Sequence, residues 1–137
     1  MIREHKYRAW DKTDKVMYYG IEKGIDFDDG SHYDFKNFLG YQEKEDYHEW
    51  EVMQYAGLKD KNGKEIYEGD IIAEDTSYPL EVYWMGVAWG IRWKDKRELQ
   101  EEIISLEMGE WNEKENKFVY FEVIGDIYEN PELLEVK

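Results

Sequence analysis

The stretch EVMQYAGLKDKNGKEIYEGDIIA, residues 51–73, holds three short apolar runs separated by glycine-marked bends. Glu51-Val52-Met53-Gln54-Tyr55 reads as a strand, rich in β-branched and aromatic side chains, and Gly57-Leu58-Lys59-Asp60 comes after it. Asn62-Gly63 is the strongest local turn signal in the chain. A two-residue type I′ turn needs positive φ at both central positions, which Asn and Gly tolerate best. Ile66-Tyr67 follows, and Gly69-Asp70 makes a second tight bend into Ile71-Ile72-Ala73. Strands this short and this closely spaced pair antiparallel, because a parallel crossover needs a dozen or more connecting residues.

The same pattern extends in both directions. Upstream, His5–Trp10 alternates Tyr7 and Ala9 against Arg8 and Trp10, and a turn through Asp11–Lys15 leads to Val16-Met17-Tyr18-Tyr19, a second hairpin. Residues 22–50 read as loop-rich, with a short strand near Tyr33–Phe38. Downstream, a turn at Ser77-Tyr78-Pro79 precedes a strand over Leu80–Met85. Val87, Trp89, Ile91 and Trp93 then alternate with Ala88, Gly90 and Arg92, the mark of a half-buried antiparallel strand. Leu99, Ile103 and Leu106 fall at i, i+4 and i+7 among Glu and Gln, which predicts an amphipathic helix over about 96–107, ended by Gly109. Lys117–Ile124 returns to strand. Asn130 before Pro131 predicts an N-cap and a last helical turn over about 131–135. The fold class is therefore mainly β, a small bent antiparallel barrel or sandwich with one or two short helices. At 137 residues, one domain over 1–137 is the expected organisation.

Three segments also carry a resemblance. Lys6-Tyr7-Arg8-Ala9-Trp10-Asp11-Lys12 with Met17-Tyr18-Tyr19 is the first, Gln54 through Ile72 the second, and Val123-Ile124-Gly125-Asp126-Ile127-Tyr128-Glu129-Asn130-Pro131-Glu132-Leu133-Leu134 the third. In order and wording the chain resembles the YopX family, small proteins encoded by phages and prophages of Gram-positive bacteria. It departs from that pattern at Ala56, where Thr is expected. The resemblance implies a β-rich fold and expression in an infected or lysogenic cell. It implies no activity and no site residues, since the family has no assigned biochemical function.

Composition narrows the chemistry. With no cysteine, disulfides, thiolate metal sites and cysteine nucleophiles are excluded. The opening residues MIREHKYRAWDK carry charge where a signal peptide needs an apolar stretch, and no apolar run reaches membrane-spanning length, so a cytoplasmic protein is expected. The formal net charge is −15. Such a balance argues against direct nucleic-acid binding, which depends on clustered Lys and Arg. Yet 17% of the residues are aromatic, far from the composition of a disordered acidic tail.

Motifs for catalysis are missing. His5, His32 and His48 have no metal-ligand spacing and read as surface or turn residues. Ser31, Ser77 and Ser105 lie in no nucleophile elbow. The acidic stretch Asp26-Phe27-Asp28-Asp29-Gly30-Ser31-His32 fails as an EF-hand, because Gly30 falls at position 5 and Asn37 at position 12; a looser cation site against a plain solvated loop is the alternative. Gly57-Leu58-Lys59-Asp60 and Ile66–Asp70 could make a functional loop surface, but Leu58, Ile66 and Tyr67 read first as core. Trp84, Trp89 and Trp93 read likewise.

No catalytic, cofactor-binding or metal-binding residue is therefore predicted. The leading expectation is a non-catalytic module that binds a protein partner or assembles with itself through its aromatic residues. The alternative is an acidic mimic of DNA that blocks a host nucleic-acid-binding protein. Duplex DNA carries one charge per about 1.7 Å, so fifteen charges match about 25 Å of duplex. A weaker alternative is a carboxylate-based hydrolase, which needs two convergent carboxyl groups with separated pKa values.

Overall fold

The computed structural model describes residues 5–36, 50–74, 78–85, 88–95, 98–103, 111–112 and 117–134. The chain divides into two compact units, Met1–Tyr55 and Ala56–Lys137. Among the described residues the regular structure is almost entirely β, as the alternating sequence predicts.

The first unit is built on the hairpin of β1 (Tyr7–Asp11) and β2 (Val16–Tyr19). β1 also pairs antiparallel with the first half of β5 (Trp50–Lys59), with Ala9 opposite both Tyr18 and Val52. A small side chain at that central position leaves room for the rings on either side. Ala9, Ile21 and Trp50 are buried at the centre of a cluster flanked by Tyr7, Tyr18, Ile25, Phe27, Tyr33 and Phe35. Phe27 meets Tyr18 and Tyr33 edge-on, at centroid distances of 5.4 and 5.1 Å, the arrangement the ring quadrupoles favour. β3 (Ile25–Asp26) and β4 (His32–Tyr33) form a small hairpin inside the stretch read as loop-rich. The strand expected near Tyr33–Phe38 is present only at Tyr33: β4 ends there and Asp34–Lys36 are not strand, while Asn37 and Phe38 lie outside the described residues.

The second unit contains a five-stranded antiparallel sheet in the order β10 (Glu98–Ile103), β9 (Trp89–Asp95), β8 (Leu80–Trp84), β7 (Asp70–Ala73), β13 (Glu122–Asp126). Opposite it stand the second half of β5, β6 (Glu65–Tyr67), which pairs with β5, and β12 (Lys117–Phe118), which pairs with β5 and β11 (Trp111–Asn112). Ala56, Ile66 and Phe118 from this layer pack with Ile72, Val82 and Ile91 from the sheet. The result is sandwich-like, and the sheets do not close into a barrel. Trp89 and Trp93 lean on that core as predicted, together with Leu58 and Leu80.

One predicted element is overturned. Residues 98–103 are not helical: they form β10, paired antiparallel to β9 from Glu98 opposite Asp95 to Ile103 opposite Gly90. The reason lies in the spacing. A separation of four, Leu99 to Ile103, is an even number and suits a period of two as well as one of 3.6. Only Leu106 distinguished helix from strand, and it lies outside the described residues. A neighbouring strand with open backbone groups then decides the outcome, because β10 supplies partners for β9. The last predicted helix survives only as a 3-10 turn over Pro131–Leu134. The strand expected over Lys117–Ile124 is two, interrupted at 119–121.

The Asn62-Gly63 turn is where the sequence places it but is of another type. Gly63 has φ 82°, whereas Asn62 is not among the positive-φ residues. The Gly63 N–H donates to Asp60 O (2.9 Å) and the Asp60 N–H to Lys64 O (2.8 Å). This is a three-residue loop, a type I turn closed by a left-handed glycine.

Candidate functional site

Asp60 explains the change of turn type. Its carboxylate, 1% exposed, accepts the backbone N–H groups of Asn62 and Lys64 on Oδ1, each at 2.9 Å. Asp is favoured at the first position of a type I turn for this reason. The other carboxylate oxygen, Oδ2, reaches across the sequence and accepts the Val123 N–H at 2.9 Å. Beside it the Lys61 N–H donates to Phe121 O at 2.8 Å, and Asn62 Nδ2 donates to Glu122 Oε1 at 3.3 Å. A second tie follows one turn later, where Ile127 N–H donates to Gly69 O at 2.9 Å. Within this unit, Asp60–Asn62 and Gly69 are thus tied to Phe121–Val123 and Ile127 as one hydrogen-bonded latch. Its effect is to cover β13, which ends the five-stranded sheet, so that Val123 N–H and Phe121 C=O are not left open for another chain.

Three further buried aspartates act on turns in the same way. Asp11 Oδ1 accepts the N–H groups of Thr13 and Asp14, Asp70 Oδ2 that of Tyr67 at 2.8 Å, and Asp126 Oδ1 those of Tyr128 and Glu129. Asn130 turns back to accept the Asp126 N–H on Oδ1 at 3.2 Å, so its side chain serves the end of β13 rather than the start of the 3-10 turn. A Cβ on Gly125 would lie 2.5 Å from that same oxygen. Gly125→Ala is accordingly expected to displace Asn130 and to cost about 1–3 kcal/mol, read as a lower urea midpoint. An unchanged midpoint would show that Asn130 moves aside freely.

The residues singled out from sequence are now placed. Leu58 packs on the core, and Ile66 and Tyr67 are buried, so the loop surface suggested for 57–60 and 66–70 is largely interior. His32 is an exposed residue whose Nδ1 lies 2.7 Å from Asp26 Oδ1, and His5 is exposed; His48 lies outside the described residues. In the acidic hairpin loop, Asp29 Oδ1 accepts the Ser31 Oγ–H and N–H, which hold its carboxyl below the usual range. Among the described residues no group of three or more His, Asp or Glu side chains is arranged to hold a metal ion. Ser77 and Ser105 lie outside them.

Tyr18 senses the acidic turns around it. Burial, then the charges of Asp11, Asp14 and Asp28, push its hydroxyl above the ordinary 10.0. A tyrosine with a raised folded pKa binds its proton more tightly folded than unfolded. Stability contributed by the neutral hydroxyl is thus whole below pH 10.0 and declines as the pH climbs above it. Tyr18→Phe should flatten that alkaline decline in urea midpoints measured across the range. A decline equally steep in the variant would locate its cause elsewhere.

A partly exposed aromatic pair of the second unit lies at the end of β8 and the start of β9. Trp84, opposite Trp89 in register, is 42% exposed and meets it edge-to-face at 5.2 Å. Three residues along each strand and on the other face, Arg92 Nη2 bonds Glu81 Oε2 at 2.6 Å and its guanidinium lies 4.4 Å from the centre of the Tyr83 ring. The pairing immobilises the guanidinium on the sheet. These aromatics were read as core, and the structure keeps Trp89 and Trp93 there while leaving Trp84 partly outside.

Fold and side-chain chemistry together define a mainly β protein whose buried carboxylates organise turns. A family model described as YopX protein matches residues 6–135, and the chain belongs to the YopX family. Among solved structures it is similar to protein EF1440 from Enterococcus faecalis, with 26% sequence identity, a TM-score of 0.57, and coverage of 98% of this chain and 100% of that one. No curated protein matches it. No helix among the described residues is long and apolar enough to cross a membrane.

Proposed function

We propose that this YopX protein is a non-catalytic, phage-encoded accessory module that acts by binding a protein partner or a second copy of itself. The observation that carries the reading is the Trp84–Trp89 pair. A large indole held half outside the core by a ring contact has the character of an interface anchor, since Trp dominates binding hot spots. The buried aspartates support the same reading, because Asp11, Asp60, Asp70 and Asp126 each accept backbone N–H groups and so serve the scaffold.

The test compares the parent chain with Trp84→Ala. Light scattering after size exclusion, over a range of concentrations, reads self-association; retention of host proteins on tagged chain reads hetero-association. The expected result is an assembly or a retained protein that Trp84→Ala loses while keeping its far-UV spectrum. A strict monomer at high concentration that retains nothing sensitive to Trp84 would end the proposal.

The acidic-mimic reading rests on a different observation, the formal net charge of −15. The two separate by salt. A charge-based mimic loses its partner steeply as ionic strength rises, whereas an aromatic contact depends on it weakly.

A further inference from the structure

The latch brings a reactive pair of residues under the control of a buried carboxylate. Asn62 is the one asparagine in the sequence followed by glycine, and its side chain is exposed at the tip of the β5–β6 hairpin. We propose that Asn62 is a site of spontaneous deamidation, and that the Asp60 latch sets its rate and is loosened by its product.

The step balances without a cofactor. The Gly63 backbone nitrogen attacks Asn62 Cγ and loses its proton. A Cγ–N bond forms, the Cγ–Nδ2 bond breaks, and Nδ2 departs with that proton as ammonia, leaving a five-membered succinimide. One water molecule then opens the ring at either carbonyl, giving Asp or isoAsp at position 62. Glycine is the residue that hinders this least, because it places no side chain beside the attacking nitrogen.

Three hydrogen bonds stand against the attack. The Gly63 N–H is held by Asp60 O at 2.9 Å, the Asn62 N–H by Asp60 Oδ1 at 2.9 Å, and the departing Nδ2 by Glu122 Oε1 at 3.3 Å. The nitrogen must turn away from Asp60 before it can reach Cγ. Deamidation therefore follows local opening of the hairpin tip, an event of lower free energy than global unfolding.

The product acts back on the same contacts. Aspartate at 62 exchanges the Nδ2 donor facing Glu122 for a carboxylate, setting like charges against each other beside buried Asp60. The isoAsp form also inserts a methylene into the main chain of a three-residue loop, which shifts Asp60 relative to Val123. Both changes weaken the hold on β13. The chain would thus carry a slow, one-way change whose effect is to uncover a sheet edge.

The experiment incubates the full-length folded protein at mildly alkaline pH and follows the 62–63 peptide by mass spectrometry, with isoAsp read by chromatographic splitting. The same chain unfolded in urea is the reference. Expected is a progressive gain of one mass unit at this peptide in the folded protein, absent in Asn62→Gln. Asp60→Ala, which removes the acceptor of the Asn62 N–H, should speed the gain at least about tenfold, the factor equivalent to ~1.4 kcal/mol of lost restraint. Aged protein should unfold at lower urea. No gain in the folded chain while the unfolded one reacts would overturn the proposal. So would a rate indifferent to Asp60→Ala, or an aged sample with the urea midpoint of fresh protein.

Discussion

Replacing Asp60 with alanine is expected to destabilise the second unit by about 3–5 kcal/mol, a large effect for a polar residue. The carboxylate is buried and accepts three backbone N–H groups, two within its own turn and one on β13. Hydrogen bonds to a charged group contribute about 1.5–3 kcal/mol each, but part of that sum is offset because the variant no longer buries a charge. The loss that remains is that of donors left without an acceptor. Asp60→Asn isolates the reach to β13. Its Oδ1 can still close the turn, while an Nδ2 in place of Oδ2 sets donor against donor at Val123, so a cost of about 2 kcal/mol is expected. Urea unfolding followed by Trp fluorescence and by hydrogen exchange at Val123 measures both. If Asp60→Ala shifts stability by less than about 1 kcal/mol at an unchanged m value, the latch is not what holds β13.

Asp60 also shows what the sequence made legible and what it did not. The bend at Asn62-Gly63 was readable because glycine and asparagine favour turns through local backbone physics. The turn's type was not readable, since it depends on a carboxylate two residues earlier that is held in place by a strand some sixty residues away. The same division runs through the rest of the fold. Strands with alternation over several residues, such as Trp89 to Trp93, were read correctly because one buried face imposes a period of two. The 98–103 segment was misread because its two informative residues fit both periods, and pairing with β9 is a non-local fact.

For the candidate site, the outcome turns on single residues. Tyr67 and Leu58 could be assigned to the interior from their place between glycines, and both are there. Trp84 could not be told from Trp89 by alternation, because cross-strand partners share a face. Position along the strand does not separate them either, since they stand opposite each other at the end of β8 and the start of β9; what does is that Trp89 packs against the core while Trp84 meets it edge-on from outside. The buried aspartates were missed as a group. Their settings differ: Asp11, Asp60 and Asp126 each precede a turn and accept N–H groups two to four residues on, whereas Asp70 closes its turn and accepts the Tyr67 N–H; both settings belong to turn chemistry rather than catalysis.

Phe118→Ala is expected to be as damaging as the loss of Asp60, at about 3–5 kcal/mol, and by a wholly different mechanism. The run Phe118-Val119-Tyr120-Phe121 offers four large apolar side chains with no pattern to rank them. The structure ranks them sharply: Phe118 and Phe121 are buried at 1% and 7%, while Val119 and Tyr120 are 40% and 44% exposed. The two rings meet edge-to-face at 5.4 Å, and Phe118 closes the core formed by Ala56, Ile66, Ile72, Val82 and Ile91. Alternation fails here because β12 ends at Phe118 and β13 begins only at Glu122, so the intervening corner returns the chain inward after three residues instead of two. Truncating Phe118 removes the transfer free energy of its ring and leaves a cavity between two sheets that can collapse only partly. Val119→Ala, one residue on, is the control and should cost less than about 1 kcal/mol. Thermal and urea unfolding of the two variants side by side decides the matter. Equal costs for Phe118 and Val119 would mean that the corner is not fixed as described, and that the core of the second unit is assembled from other residues.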